Sequence, residues 1–298
     1  MECLHSAGWA GAATGEYREV RKDWIRKKGR VYGMKIGFIG LGNMASAMIG
    51  GMLQKGIVKP EDIIGSARTA ETGKKIKEQF HIQIADSNAQ TAEQSDILFL
   101  AVKPHLLGEV ISEIKDVVKG HTIIVSIAAG RSLEFLKEAF GREECKLVRC
   151  MPNTPALVLE GCTGVCIGEC VTEGELDQVL VLLRSFGTAS VVPESLMDVV
   201  VGVSGSSPAY VFMFIEAMAD AAVAAGMPRK QAYEFASQSV LGSAKMVLET
   251  GKHPGELKDM VCSPGGTTIQ AVKALEQKGM RAAVMDAMEA CIEKSRSL

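Results

Sequence analysis

Short, nearly continuous apolar runs punctuate the first half of the chain. The runs at 34–39, 62–66, 96–102 and 122–127 predict four buried strands. Uninterrupted apolarity, rather than alternation, is what parallel strands covered on both faces show. A helical run at 48–55 comes after the first strand, so the pattern opens as strand, turn, helix. The second half reads differently. Residues 208–227 are apolar almost all round, and a helical stretch at 269–278 comes after a turn rich in glycine.

The run at 208–227 is long enough to span a bilayer. Glu216 and Asp220 fall inside it, however, and alanine dominates it. A helix apolar on every face is also what a subunit interface requires, and that is the expectation here, with no membrane partner. With 298 residues the chain has room for two domains. A net charge of −2 gives no broad basic field for nucleic acid. His5, His81, His105, His121 and His253 lie scattered, without metal-ligand spacing. Cys162, Cys166 and Cys170 recur every four residues among glycines. They read as small apolar residues of a strand and turn, because closer cysteine pairs and histidine partners are missing. No metal is expected. No secretory signal is visible, so reduced thiols in the cytoplasm are the expectation.

Residues 1–33 look foreign to the rest of the chain. They are basic, lack apolar periodicity and hold both tryptophans, Trp9 and Trp24. We read them as disordered or as an over-extended reading frame, with Met34 as the true start; a functional tail is the rival.

The first strand runs into Gly40-Leu41-Gly42-Asn43-Met44-Ala45, the pattern G-x-G-x-x-A between a strand and a helix. Gly40 permits the tight turn, Gly42 lets a pyrophosphate approach the backbone, and Ala45 allows close helix–strand packing. An NAD-specific site commonly carries an acid at the end of the second strand. Here Ser66-Ala67-Arg68-Thr69 stands instead, and hydroxyls beside an arginine suit a 2′-phosphate. The expected cofactor is NADP(H), with NAD(H) possible. The third and fourth strands run into Ala101-Val102-Lys103-Pro104 and Ile127-Ala128-Ala129, small or proline residues across which a flat cofactor can lie.

Ser263-Pro264-Gly265-Gly266-Thr267-Thr268 precedes the last helical stretch. A Pro-Gly-Gly turn running into a helix leaves backbone N–H groups bare beside hydroxyls. It can hold a small carboxylate without an arginine.

Gly37-Phe-Ile-Gly-Leu-Gly-Asn-Met-Ala45, Ala101-Val-Lys-Pro104, Ser126-Ile-Ala-Ala-Gly130 and Arg149-Cys-Met-Pro-Asn-Thr-Pro155 occur in that order. With 257–272, which contains the Pro-Gly-Gly-Thr-Thr turn, they resemble the pyrroline-5-carboxylate reductase family over about residues 34–298. The resemblance implies an α/β Rossmann domain with a doubly wound, mostly parallel sheet (34–194). After it comes an all-α dimerisation and substrate domain (195–298), through which copies self-associate. It implies reduction of (S)-1-pyrroline-5-carboxylate to L-proline by hydride from NAD(P)H. It makes Thr268, which the family aligns with the substrate ring nitrogen, the catalytic candidate. Ser263, Gly265, Gly266 and Thr267 join it as substrate-binding residues. Asn88 joins Gly40, Leu41, Gly42, Asn43, Met44, Ser66, Arg68, Ala101, Val102, Lys103, Pro104, Ile127, Ala128 and Ala129 at the cofactor. The family most often has glycine where Ser207 stands. Two rivals are weighed. A β-hydroxyacid dehydrogenase would need a lysine acid, for which Lys245 is the candidate. A non-catalytic nucleotide-binding paralogue would need neither threonine nor a substrate cradle.

Overall fold

The computed structural model describes residues 33–297. The expectation for residues 1–33 therefore falls, Gly33 aside, outside the described residues.

The chain begins with β1 (Ile36–Ile39), α1 (Asn43–Gln54), β2 (Ile63–Ser66), α2 (Ala70–Phe80) and β3 (Gln83–Ile84). Next come α3 (Asn88–Glu93), β4 (Ile97–Leu100), α4 (Leu107–Ile114), β5 (Ile123–Ser126) and α5 (Leu133–Phe140). β6 (Lys146–Met151), β7 (Gly161–Ile167), α6 (Glu173–Leu183) and β8 (Gly187–Val191) complete one eight-stranded sheet. Its order is β3-β2-β1-β4-β5-β6-β7-β8. All pairs are parallel except β6 with β7. The first six strands have the Rossmann order, and the order reverses between β1 and β4, where such folds bind their ligand.

The four strands read from sequence are β1, β2, β4 and β5, and every residue in them is buried. Phe38 and Phe99 stack across the β1–β4 pair with ring centroids 4.8 Å apart. α4 and α5 cover one face through Leu107, Ile111, Ile114, Leu136 and Phe140. Each such buried side chain contributes about 1.5–3 kcal/mol of transfer free energy. The helices start where short polar side chains cap them: Thr69, Ser87, Ser132 and Thr172 each accept a backbone N–H of the first turn. β6 escaped sequence reading because Lys146 and Arg149 interrupt its apolar run.

Cys162 and Cys166 lie on β7, spaced by roughly 13 Å in an extended chain, too far to share a metal ion, and Cys170 lies in the turn beyond it. Among the described residues no group of three or more His, Cys, Asp or Glu side chains could hold one.

The remaining chain is helical: α7 (Met197–Val200), α8 (Ser207–Ala224), α9 (Arg229–Thr250), α10 (Pro254–Val261), α11 (Thr267–Gln277) and α12 (Met280–Arg296). A π-helical turn, Val201–Gly205, separates α7 from α8. By contact, two compact units form. One holds the sheet through Pro208 together with Asp286 onward; the other is Ala209–Met285. Within the first, the Asn153 side chain donates to Ser204 O at 2.9 Å and accepts from Cys162 N at 2.8 Å. This ties the turn after β6 to the π-helical turn and to the start of β7.

The second unit presents an apolar surface. Of α8 only Ala219 is buried, and Phe212 and Phe235 are each 62% exposed. Among the described residues, one continuous helical stretch, Glu194–Ala224, is long and apolar enough to cross a membrane. Within a single chain the helix expected to be buried is thus largely bare, and its cover must come from outside.

Candidate active site

α1 begins on Gly42 and α11 on Gly266, each with no side-chain cap. A glycine N-cap leaves the first N–H groups of a helix bare, where the helix dipole adds partial positive charge. Both candidate anion sites named from the sequence are these two helix starts.

The first lies beside the β1–β4 switch point. Gly40 has φ +92° and donates its N–H to Ser66 O at 3.0 Å. A side chain there would come within 2.7 Å of Ala101 O, so only glycine fits. At Gly42 an added Cβ would meet nothing within 4 Å, so the backbone is open to a pyrophosphate. Leu41 turns inward, its side chain packed against Gly65, so only its backbone can face a ligand. Ala45 is buried, as helix–strand packing requires. Asn43 is exposed and Met44 half-buried at the mouth of the turn. These features fit a dinucleotide.

Around this turn stand the strand ends. Ser66 is buried, and its hydroxyl donates to Asn88 Oδ1 at 2.7 Å. Arg68 is exposed and has no ion-pair partner among the described residues. After β4, Ala101 and Val102 are half-buried and Lys103 exposed, with Pro104 opening a short 3₁₀ turn. After β5, Ile127 donates to Leu100 O at 3.2 Å and Ala128 to the Ser126 hydroxyl at 3.4 Å, while Ala129 is half-buried. The structure thus brings every cofactor candidate to the carboxyl ends of β1, β2, β4 and β5 or the start of α3.

The second site is the Ser263–Gly266 turn. Pro264 takes the second position and Gly265, at φ +70°, the third; Gly266 N donates to Ser263 O at 3.1 Å. This is a type II turn, and it needs glycine at its third position. A Cβ on Gly266 would strike the Ser263 hydroxyl at 2.4 Å. The helix starts at Thr267, two residues before the apolar pattern, because the turn already directs the chain along the helix axis. Thr268 is half-buried and Thr267 exposed.

Residues 194–298 match the family model described as pyrroline-5-carboxylate reductase dimerisation, and 35–130 the one described as NADP oxidoreductase coenzyme F420-dependent. The chain is 54% identical to pyrroline-5-carboxylate reductase of Escherichia coli (strain K12) over 264 residues, covering 89% of this chain and 98% of that one. It is 48% identical to the Methanosarcina acetivorans enzyme, covering 89% and 97%. The chain belongs to the pyrroline-5-carboxylate reductase family. Among solved structures, the Plasmodium falciparum pyrroline carboxylate reductase with NADP bound superposes with a TM-score of 0.81 at 34% identity, covering 89% of this chain and 98% of that one.

As a pyrroline-5-carboxylate reductase, the chain reduces (S)-1-pyrroline-5-carboxylate to L-proline by hydride transfer, the last step of proline biosynthesis. Its sheet unit is the NADP-binding domain, and its helical part is a dimerisation domain through which copies self-associate. The dehydrogenase and paralogue readings fall away. Lys245, offered as the dehydrogenase's acid, sits on α9 facing Glu249 one turn on, at 3.6 Å.

Three residues with structural duties at this end of the sheet went unassigned in the sequence: Arg149, Asn153 and Glu194. The first two stand in the Arg149–Pro155 motif; no local signal marks Glu194, because its partners are remote in sequence.

Proposed function

We propose that the Ser263–Gly266 turn and the first turn of α11 cradle the substrate carboxylate, and that Thr268 meets the ring nitrogen. The observation that carries this is the uncapped α11 start on Gly266. The N–H groups of Gly265 and Thr267 are the carboxylate donors. Gly266 spends its own N–H closing the turn, and contributes by lacking a side chain. The Ser263 hydroxyl, packed over Gly266, completes the rim. The Thr268 hydroxyl can donate to or accept from the ring nitrogen, so it serves imine, iminium and amine alike. An iminium accepts hydride readily, so no strongly acidic side chain is required. Most of the rate gain is alignment.

The cofactor, when bound, supplies the hydride. Gly40, Leu41, Gly42, Asn43 and Met44 hold its pyrophosphate at the α1 start. Arg68 takes the adenosine half at a strand end that the Ser66–Asn88 hydrogen bond fixes, so Ser66 and Asn88 shape this end rather than donate to it; Ala101–Pro104 and Ile127–Ala129 line the rest. The exposed guanidinium of Arg68, with no acid at the end of β2, favours NADP(H) over NAD(H). We assign residues 34–194 to cofactor binding and 195–298 to dimerisation and substrate. We place the enzyme in the cytoplasm, in keeping with its free thiols.

Replacing the substrate by 1-pyrroline, which lacks the carboxylate, tests the cradle. Its kcat/KM is expected to fall by roughly 10²–10³-fold, and Gly265→Ala to narrow that gap. Equal kcat/KM for the two imines refutes the assignment.

A further inference from the structure

Arg149 lies in the middle of β6 with its side chain only 8% exposed. A buried guanidinium needs an acid, and Glu194 supplies it: Arg149 Nη1 to Glu194 Oε1 is 3.0 Å. The same Oε1 accepts the backbone N–H of Leu133 at 2.7 Å. Leu133 is the first residue of α5, behind its cap Ser132, whose hydroxyl accepts from Phe135 N at 3.0 Å. A carboxylate at a helix start also gains from the helix dipole.

The consequence concerns the segment just upstream. Ile127–Ala129, part of the proposed cofactor site, leaves β5 and reaches α5 through Gly130 (φ +69°) and Arg131. Its sheet end is fixed by the Ile127 N–H on Leu100 O at 3.2 Å. Its other end is fixed on Glu194, which Arg149 holds in turn. Only a few residues separate the two anchors, so a shift of the second moves the wall itself.

We propose that Glu194 is a positioning residue for the cofactor: through Leu133 N–H it sets where Ile127–Ala129 lies. The proposal rests on the assignment of that segment to the cofactor site. It differs from simple capping of α5, which would alter stability and leave cofactor affinity unchanged.

Leu133 offers a clean test. Proline is tolerated at the first position of a helix, and Ser132 already has the extended backbone (ψ 165°) that a proline next in the chain requires. Leu133→Pro removes the N–H that Glu194 receives; Leu133→Ala trims the side chain and keeps it. NADPH affinity is read by fluorescence titration on protein whose folding is checked by melting. Leu133→Pro is expected to weaken NADPH roughly tenfold relative to Leu133→Ala, with little change in kcat at saturating cofactor. Glu194→Gln, which keeps an acceptor and drops the charge, is expected to fall in the same direction, with Glu194→Asp closer to the parent. Equal NADPH affinity in Leu133→Pro and Leu133→Ala overturns the proposal. Ala129→Leu separates the premise. If it leaves NADPH binding intact, the segment is no cofactor wall and the proposal falls with that assignment. If it weakens NADPH while the Leu133 pair do not differ, only the role of Glu194 falls.

Discussion

The Ser66 hydroxyl donates to the Asn88 side-chain carbonyl at 2.7 Å, locking the end of β2 to the first turn of α3. The Asn88 amide passes on to Glu113 at 2.7 Å. Ser66 is thereby committed inward, while Arg68, two residues on, is exposed and is the group that the proposed cofactor reading sets against a 2′-phosphate.

Arg68→Ala is accordingly expected to raise KM for NADPH by roughly 10–100-fold, the worth of one charge-assisted contact, and to change KM for NADH little. Steady-state kinetics with both cofactors decide it. Equal losses would remove Arg68 from the phosphate.

Thr268→Ala should lower kcat by roughly 10–10³-fold while NADPH affinity stays near the parent value. The check is single-turnover NADPH oxidation with pyrroline-5-carboxylate. An unchanged kcat takes Thr268 out of the mechanism.

The apolar face of the Ala209–Met285 unit must be covered in the assembly. Phe212 and Phe235 are large and mostly bare in a single chain. Phe212→Glu puts a charge where a partner surface must desolvate it, and should shift the species seen by light scattering toward monomer. A variant with the parent's mass would place the interface elsewhere.

Stability should depend on pH through Glu175. Burial pushes its carboxyl up, but the Lys146 ammonium and the Thr172 backbone N–H and hydroxyl together outweigh burial and hold it below its ordinary value. The folded carboxyl binds its proton less readily than the unfolded one. Its stabilisation is therefore full above the ordinary glutamate value, 4.5, and is lost as pH falls through the lower folded value. Glu175→Gln keeps an acceptor for the capping box on α6 but removes the ion pair with Lys146, and should cost about 0.5–1 kcal/mol near neutrality. Melting curves at falling pH should show the two proteins converge in acid; a constant gap would contradict the argument.

The four strands of the switch-point region were legible because each is buried on both faces and so carries no polar residue through its middle. β6 and β8 were not, and β7 showed only as a strand and turn around its cysteines. Arg149 of β6 is paired by Glu194, 45 residues away, so its run lacks the local signature. α11 starts at Thr267, two residues before its apolar pattern, because a threonine pair after a glycine turn has no apolar period to announce a helix.

The sequence by itself determined the chemistry. Glycines at 40, 42, 265 and 266 have no side chain to compete with a ligand, and that property is local. It also determined the need for a partner, because apolarity all round α8 cannot be satisfied in water. The tertiary structure decided which donors remain free: it spends the Gly266 N–H inside the turn, turns Ser66 toward Asn88 and leaves Arg68 exposed. It alone brought Glu194 to Leu133 and Arg149, 61 and 45 residues away. Hydrogen bonds of such separation are set by how strands and helices stack, which no local pattern encodes.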